Sequence, residues 1–238
     1  MFSFDVCTSG RPMPEFGQNA NRLIRLFGIS RSRLKESPQQ HLRFDVRPGE
    51  IVYITGASGA GKSVLLDAIY RQAAKDQRLR LEDIKLDDDK SVIDCMSTTA
   101  GMERGHPVCA GKTEMANEQR SLRLCLEALN KAGLSDVFAM LQSPKRLSEG
   151  QQARFRLAKA LACHRPIIFA DEFTSSMDRI TASVISHHVR KTASRTNKIF
   201  ILASCHDDIL AELKPNVLIM KHSGGRTETI YNRKVKNF

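Results

Sequence analysis

The stretch IVYITGASGAGKS, Ile51 to Ser63, decides how the rest of the chain is read. A short apolar run rich in Val and Ile leads into a glycine-rich turn. Gly-Lys-Ser then opens a segment, Val64 to Ala74, with helical character. The spacing G-x-x-x-x-G-K-[ST] falls on Gly56, Gly61, Lys62 and Ser63, and each residue type has a physical task. Gly56, Gly59 and Gly61 let the backbone turn tightly and bring amides against phosphate oxygens where a Cβ would collide. Ala57, Ser58 and Ala60 complete the cradle. Lys62 reaches the β- and γ-phosphates, the Ser63 hydroxyl is a Mg²⁺ ligand, and the helix beginning near Val64 aims its positive end at the anion.

Downstream, Ile167-Ile168-Phe169-Ala170 is a wholly apolar segment ending in Asp171-Glu172. That is the pattern of a buried parallel strand delivering acidic groups at its carboxyl end, where α/β sheets place ligands. Asp171 is assigned to the Mg²⁺ shell and Glu172 to polarising a water, because phosphoryl transfer needs little beyond positioned water, metal and charge neutralisation. Lys198 to Ser204, KIFILAS, reads as the next buried strand, and it leads to His206, a contact for the terminal phosphate. The catalytic candidates are therefore Glu172, His206 and Lys62.

Away from these segments the chain is less explicit. Residues 1 to 18 carry Gly10, Pro12, Pro14 and Gly17 and read as loop. Asn19 to Phe27 has helical spacing, and His41 to Val46 alternates like a half-buried strand, suggesting an antiparallel β edge. Lys75 to Lys90, with Asp87-Asp88-Asp89, reads as an exposed charged tract. Ser91 to Cys95 is expected to be a strand, Met96 to Glu114 an irregular insertion, and Ala116 to Ala132 a leucine-striped helix. Asn216 to Met220 is the last expected strand. The expected organisation is a basic N-terminal extension over 1–40, a core over 41–222 with a helical subdomain near 91–165, and a basic tail over 223–238.

The 238 residues suffice for one α/β domain, with 41% hydrophobic and 26% charged residues, ordinary values for a globular protein. No stretch approaches the ~18–20 uninterrupted apolar residues of a membrane span, and no secretory signal pattern opens the chain, so a cytoplasmic protein is expected. Six cysteines without a C-x-x-C pair argue for reduced thiols. His106 and Cys109 have metal-ligand spacing but no second pair. A formal charge of +11 is compatible with polyanionic partners.

Several motifs together resemble the ABC ATPases. Gly56 to Ser63 looks like their Walker A. Leu147-Ser148-Glu149-Gly150-Gln151 resembles their signature, and Ile167 to Glu172 their Walker B. Ser175 to Asp178 resembles the D-loop and His206 the switch histidine, all in the family's order over residues ~40–222. The resemblance implies a P-loop α/β fold with a mixed sheet flanked by helices, an antiparallel β edge and a small helical subdomain. It implies ATP and Mg²⁺ as ligands and a head-to-tail homodimer, with Ser148 and Gly150 meeting the γ-phosphate held by the opposite subunit. Glu149, Phe173 and Met177 depart from the usual motif residues. Aligning SVID with the strand that bears the family's Q-loop glutamine puts Asp94 in the metal shell. Phe27 is the candidate for adenine stacking, the alternative being a plain core phenylalanine.

For the process driven by ATP, the altered Q-loop position and the basic charge favour a soluble, non-transport ATPase. VIDC and FADEFTSSMDRITA also resemble stand-alone bacterial ABC ATPases, some fused to acetyltransferase-like domains, which implies such a domain or another cytosolic protein as partner. Nucleic acid is a further expected partner. The alternative is the ATP-binding subunit of a membrane transporter, with a separate permease. A non-enzymatic nucleotide clamp is disfavoured by Glu172.

Overall fold

Ile51–Gly56 forms a strand, β3, buried along nearly its whole length, and the remaining strands are arranged around it. The computed structural model describes residues 1–8, 15–30, 40–87, 89–96, 114–222 and 226–233. Six strands make the main sheet: β3, β4 (Arg78–Arg80), β5 (Ile167–Ala170), β6 (Ile199–Ala203), β7 (Val217–Lys221) and β8 (Thr227–Tyr231). Their spatial order is β4-β5-β6-β3-β7-β8. All neighbours run parallel except β8, which turns back along β7. A separate two-stranded antiparallel ribbon joins β1 (Phe2–Thr8) to β2 (Gln40–Val46).

β5 and β6 are apolar at every position because helices or ribbon cover both faces of the sheet. On one face, Val52, Ile54, Phe169, Ile201 and Val217 pack with Leu65, Leu66 and Ile69 of helix α2 (Lys62–Gln72) and with Phe4, Val6, Phe44 and Val46 of the ribbon. On the other, Tyr53, Ile168 and Phe200 pack with a helical layer. That layer comprises the short helix α3 (residues 92–96), α4 (Glu114–Lys131), α5 (Val137–Leu141), α6 (Glu149–Ala162), α7 (Arg179–Thr196) and α8 (Leu210–Leu213). Helix α1 (Gln18–Leu26) buries none of its residues. No helix among the described residues is long and apolar enough to cross a membrane.

The expected mixed sheet, flanking helices and antiparallel part are all present. Several local readings are corrected. The start of the chain contains β1, whose Phe4 stacks on Phe44 with ring centroids 5.3 Å apart; alternating Phe4, Val6 and Thr8 face inward, a pattern masked by the polar residues between them. The charged tract Lys75 to Lys90 contains the edge strand β4. Ser91 to Cys95 is not a strand: 92–96 is helical, and the Ser91 hydroxyl accepts from the Asp94 amide at 3.3 Å. Within the expected tail, Thr227–Tyr231 closes the sheet as β8, and Arg233 reaches Glu50 with Nε donating to Oε1 at 2.9 Å. Most of the expected insertion, with His106 and Cys109, lies outside the described residues.

Candidate functional site

The carboxyl ends of β3, β5 and β6 lie side by side, and main-chain bonds tie the loops that follow them. The Ser204 amide donates to the Ile54 carbonyl at 3.1 Å, and the Phe173 amide to the Ala203 carbonyl at 2.9 Å. The Tyr53 hydroxyl donates to the His206 carbonyl, and Thr55 donates to the Asp207 carboxylate. Burial, with Asp207 and Asp208 nearby, pushes the Tyr53 hydroxyl pKa well above its ordinary value, so it remains a donor.

Gly56 ends β3 at φ 144°, opposite Lys221. A Cβ there would stand 2.1 Å from the Lys221 carbonyl oxygen, so the close strand pairing admits only glycine. Gly59 and Gly61 take φ 78° and 85° and turn the chain into α2. Gly61 is its N-cap and brings no side-chain acceptor to the first amides; a helix start of this kind attracts anions. The Lys62 ammonium donates to the carbonyls of Gly56 at 2.8 Å and Ala57 at 2.9 Å, folded across the loop. Ser63 is exposed on the first turn. Ala57, Ser58 and Ala60 complete the loop, and Val64 follows on the helix.

Asp171 and Glu172 leave the end of β5, and the Glu172 amide donates to the Asp171 Oδ1 at 3.0 Å. Glu172 and Thr174 adopt φ 45° and 67°, left-handed values unfavourable for residues with a Cβ. Glu172 is exposed on the turn they make. Glu82, just beyond β4, accepts from the Asp171 amide at 2.9 Å. Arg80 lies among Asp67, Glu82 at 3.1 Å and Asp171 at 3.7 Å. Burial opposes its charge, but the hydrogen bonds and charges of Asp67 and Glu82 outweigh that and hold its pKa above the usual range.

Glu82 and Arg80 escaped the sequence reading because β4 has three residues, two of them arginines. The usable signal was the alternation Arg78-Leu79-Arg80-Leu81, with Leu79 and Leu81 turned toward the core. Their position also corrects the assignment of Asp94. The strand after the loop helix is β4, so the carboxylate beside Asp171 is Glu82, whereas Asp94 is exposed on α3 and bonded to Ser91 at 2.5 Å. Phe27 is not the plain core phenylalanine weighed as its alternative: it is 67% exposed at the end of α1.

Leu147 is buried, and Ser148 caps α6 in a reciprocal box: its hydroxyl accepts from the Gln151 amide at 3.3 Å while Gln151 Oε1 accepts from the Ser148 amide at 3.0 Å. Glu149 is exposed. A Cβ on Gly150 would come 2.8 Å from the Ser176 carbonyl oxygen, so this helix start sits hard against the loop running from Ser175 to Asp178. The Ser175 amide donates to the Glu172 carbonyl at 2.9 Å, and Asp178 caps α7 by accepting from Thr181 at 2.9 Å. Those Thr181 bonds hold the Asp178 carboxyl pKa below its ordinary value. Ser148, Gly150, Ser176 and Asp178 line one open concavity. The structure thus joins Leu147–Gln151 to Ser175–Asp178, and sets Lys62 at the end of β3, in the same sheet as β6 and β5, which lead to His206 and to Asp171 and Glu172.

A family model described as ABC transporter matches residues 39–175. The uncharacterized ABC transporter ATP-binding protein MJ0796 of Methanocaldococcus jannaschii is 29% identical over 202 residues, 76% of this chain and 84% of that protein. The phosphonates import ATP-binding protein PhnC of Frankia casuarinae is 29% identical over 215 residues, 79% of this chain and 82% of that protein. Among solved structures, the dimeric post-hydrolysis state of the ATP-binding cassette MJ0796 bound to ADP and Pi superimposes with a TM-score of 0.62 at 20% identity, covering 83% of this chain and 94% of that one.

Proposed function

The chain belongs to the ABC transporter family and is an ABC-type ATPase, and from that premise we propose that it is the ATP-binding subunit of a membrane transporter, active as a homodimer. The relatives described above are ATP-binding proteins of transporters, which reverses the order of the two readings drawn from the sequence. The soluble, non-transport role becomes second, and no relative described above carries the link to acetyltransferase-fused ATPases. The observation that carries the proposal lies on α5, beside α3: the Val92 amide donates to the Gln142 carbonyl at 2.9 Å. There Val137, Phe138 and Leu141 stand exposed, Phe138 by 79%. A cluster of exposed apolar side chains on one short helix suits a protein partner better than water, and a permease segment is the partner that this family offers.

ATP would enter with its phosphates in the Gly56–Ser63 loop, where Lys62 exchanges its two carbonyl bonds for phosphate oxygens. The donor set around the phosphates fits magnesium: the exposed Ser63 hydroxyl and the Asp171 carboxylate are hard oxygens, and phosphate oxygens would complete the shell. Bound magnesium would neutralise phosphate charge. Glu82, fixed to the Asp171 amide, occupies the place expected of the Q-loop residue. Glu172 accepts the proton of the attacking water, whose oxygen bonds to the γ-phosphorus as the bond to the ADP oxygen breaks. His206 contacts the γ-phosphate. Phe27, which is exposed, remains the candidate for the adenine.

The α6 start belongs to the helical layer on one face of the sheet and the α2 start to the other. A partner copy would therefore bring Ser148 and Gly150 to the nucleotide held by Lys62. Glu172→Gln is expected to lower phosphate release about 10²–10⁴-fold while ATP still binds. With ATP present, this variant should recover an integral membrane protein from solubilised membranes, and adding Phe138→Asp should abolish the recovery with ATP binding unchanged. Recovery of soluble proteins alone would defeat the transporter reading.

A further inference from the structure

Among the described residues two lysines are buried, Lys198 and Lys221, and they sit at opposite kinds of helix end. Lys198, 7% exposed, donates to the carbonyls of Cys163 at 2.5 Å and Arg165 at 2.9 Å. A cation beside the carboxyl end of α6 is favourable there, since that end carries partial negative charge. Lys221, 4% exposed, is the last residue of β7. Its Cε and Nζ lie 3.8 Å from the point where a Cβ on Gly61 would stand. Gly61 is the N-cap of α2, so this ammonium is held against the positive end of a helix, beside a loop that already contains Lys62.

Local pattern does not call for a lysine at this place. Val217, Ile219 and Lys221 are the inward residues of β7, and the first two belong to the apolar cluster that includes Leu65 and Leu66 of α2. A third apolar side chain would continue the stripe. Burial pushes the Lys221 pKa below its ordinary value, as expected for a desolvated ammonium. A polyanion in the loop would be attracted by this ammonium as well as by Lys62. Lys221 approaches that loop at two points, pairing with Gly56 through its main chain and bringing the end of its side chain toward Gly61.

We propose that Lys221 is a second cation of the phosphate site, a positioning residue that backs the Gly56–Ser63 loop from β7 and strengthens its hold on di- and triphosphates. This rests on the reading of that loop as the nucleotide site. Lys221 acts through the loop backbone, adding field at the phosphates and fixing the turn that Gly61 makes.

The test measures binding of ATP, ADP, pyrophosphate and adenosine to the full chain, together with thermal midpoints without ligand, for wild type, Lys221→Met, Lys221→Gln, Lys221→Arg and Lys62→Ala. Lys221→Met is expected to bind ATP and pyrophosphate about tenfold more weakly, the size of one lost nearby positive charge, with adenosine unaffected and the midpoint equal to wild type or higher. Lys221→Gln should behave alike if Met is not accepted, and Lys221→Arg should restore most of the affinity. Unchanged ATP and pyrophosphate affinity in the uncharged variants overturns the inference. So does a lowered midpoint with all four ligands weakened equally, which marks a packing role. If wild type and Lys62→Ala bind ATP equally poorly, the nucleotide site itself is wrong, and the inference falls with it.

Discussion

Gly56 shows how narrow the tolerance of single residues is at this site. Its φ of 144° and the 2.1 Å approach that a Cβ would make to Lys221 oxygen are two separate obstacles to a side chain. Relieving them requires β3 and β7 to separate at the point where the phosphate loop begins. Gly56→Ala is therefore expected to destabilise the fold by about 1–3 kcal/mol and to weaken ATP binding, checked by urea unfolding and by nucleotide titration. Unchanged unfolding would mean that the strands part freely. At this scale the sequence was highly legible, because Gly56, Lys62, Asp171 and Glu172 are specified by local spacing and by chemistry that tolerates few residue types. Glu82 was not legible, since its significance comes from Asp171, a residue 89 positions away.

Among the elements, those with an apolar run or a clear apolar period were recovered, and short strands broken by polar residues were not. β5 and β6 are buried on both faces and read as unbroken hydrophobic segments. β1 pairs with a strand more than thirty residues further on, and only one of its faces is apolar. β4 hides its inward leucines between arginines. In α3, the same run of Ser, Val and Ile that suggests a strand is taken into a helical turn, packed through Val92 and Met96 into the core. The contribution of β1 can be measured. Phe4 is buried and stacked on Phe44, and Phe4→Ala should cost about 3–5 kcal/mol in denaturant unfolding. A loss below the range measured for surface substitutions would show that the ribbon frays independently of the sheet.

Over the whole molecule, the start of α6 and the phosphate loop belong to layers on opposite faces of the same sheet. That separation is the physical basis for the proposed sharing of the site between two copies. Light scattering of Glu172→Gln is expected to give a monomer mass without nucleotide and twice that mass with ATP and magnesium. The added substitution Gly150→Arg, which crowds the α6 start, should return the mass to that of one chain. A single mass under all conditions would rule out the homodimer arrangement.

The sequence by itself determined the candidate site residues of this protein: a glycine-rich loop with Lys62, two acidic residues at a strand end, a histidine just beyond the next strand and a capped helix start, in the order of the ABC ATPases. These are encoded locally, in glycine conformations, apolar runs and capping pairs that need no distant residue to be meaningful. Only the tertiary structure decided that Glu82 and not Asp94 stands beside Asp171, that residues 2–8 are part of the fold, and that Lys221 is buried against the phosphate loop. Each of these depends on which strands lie next to one another, and strand order in a parallel sheet is set by packing between segments far apart in the chain.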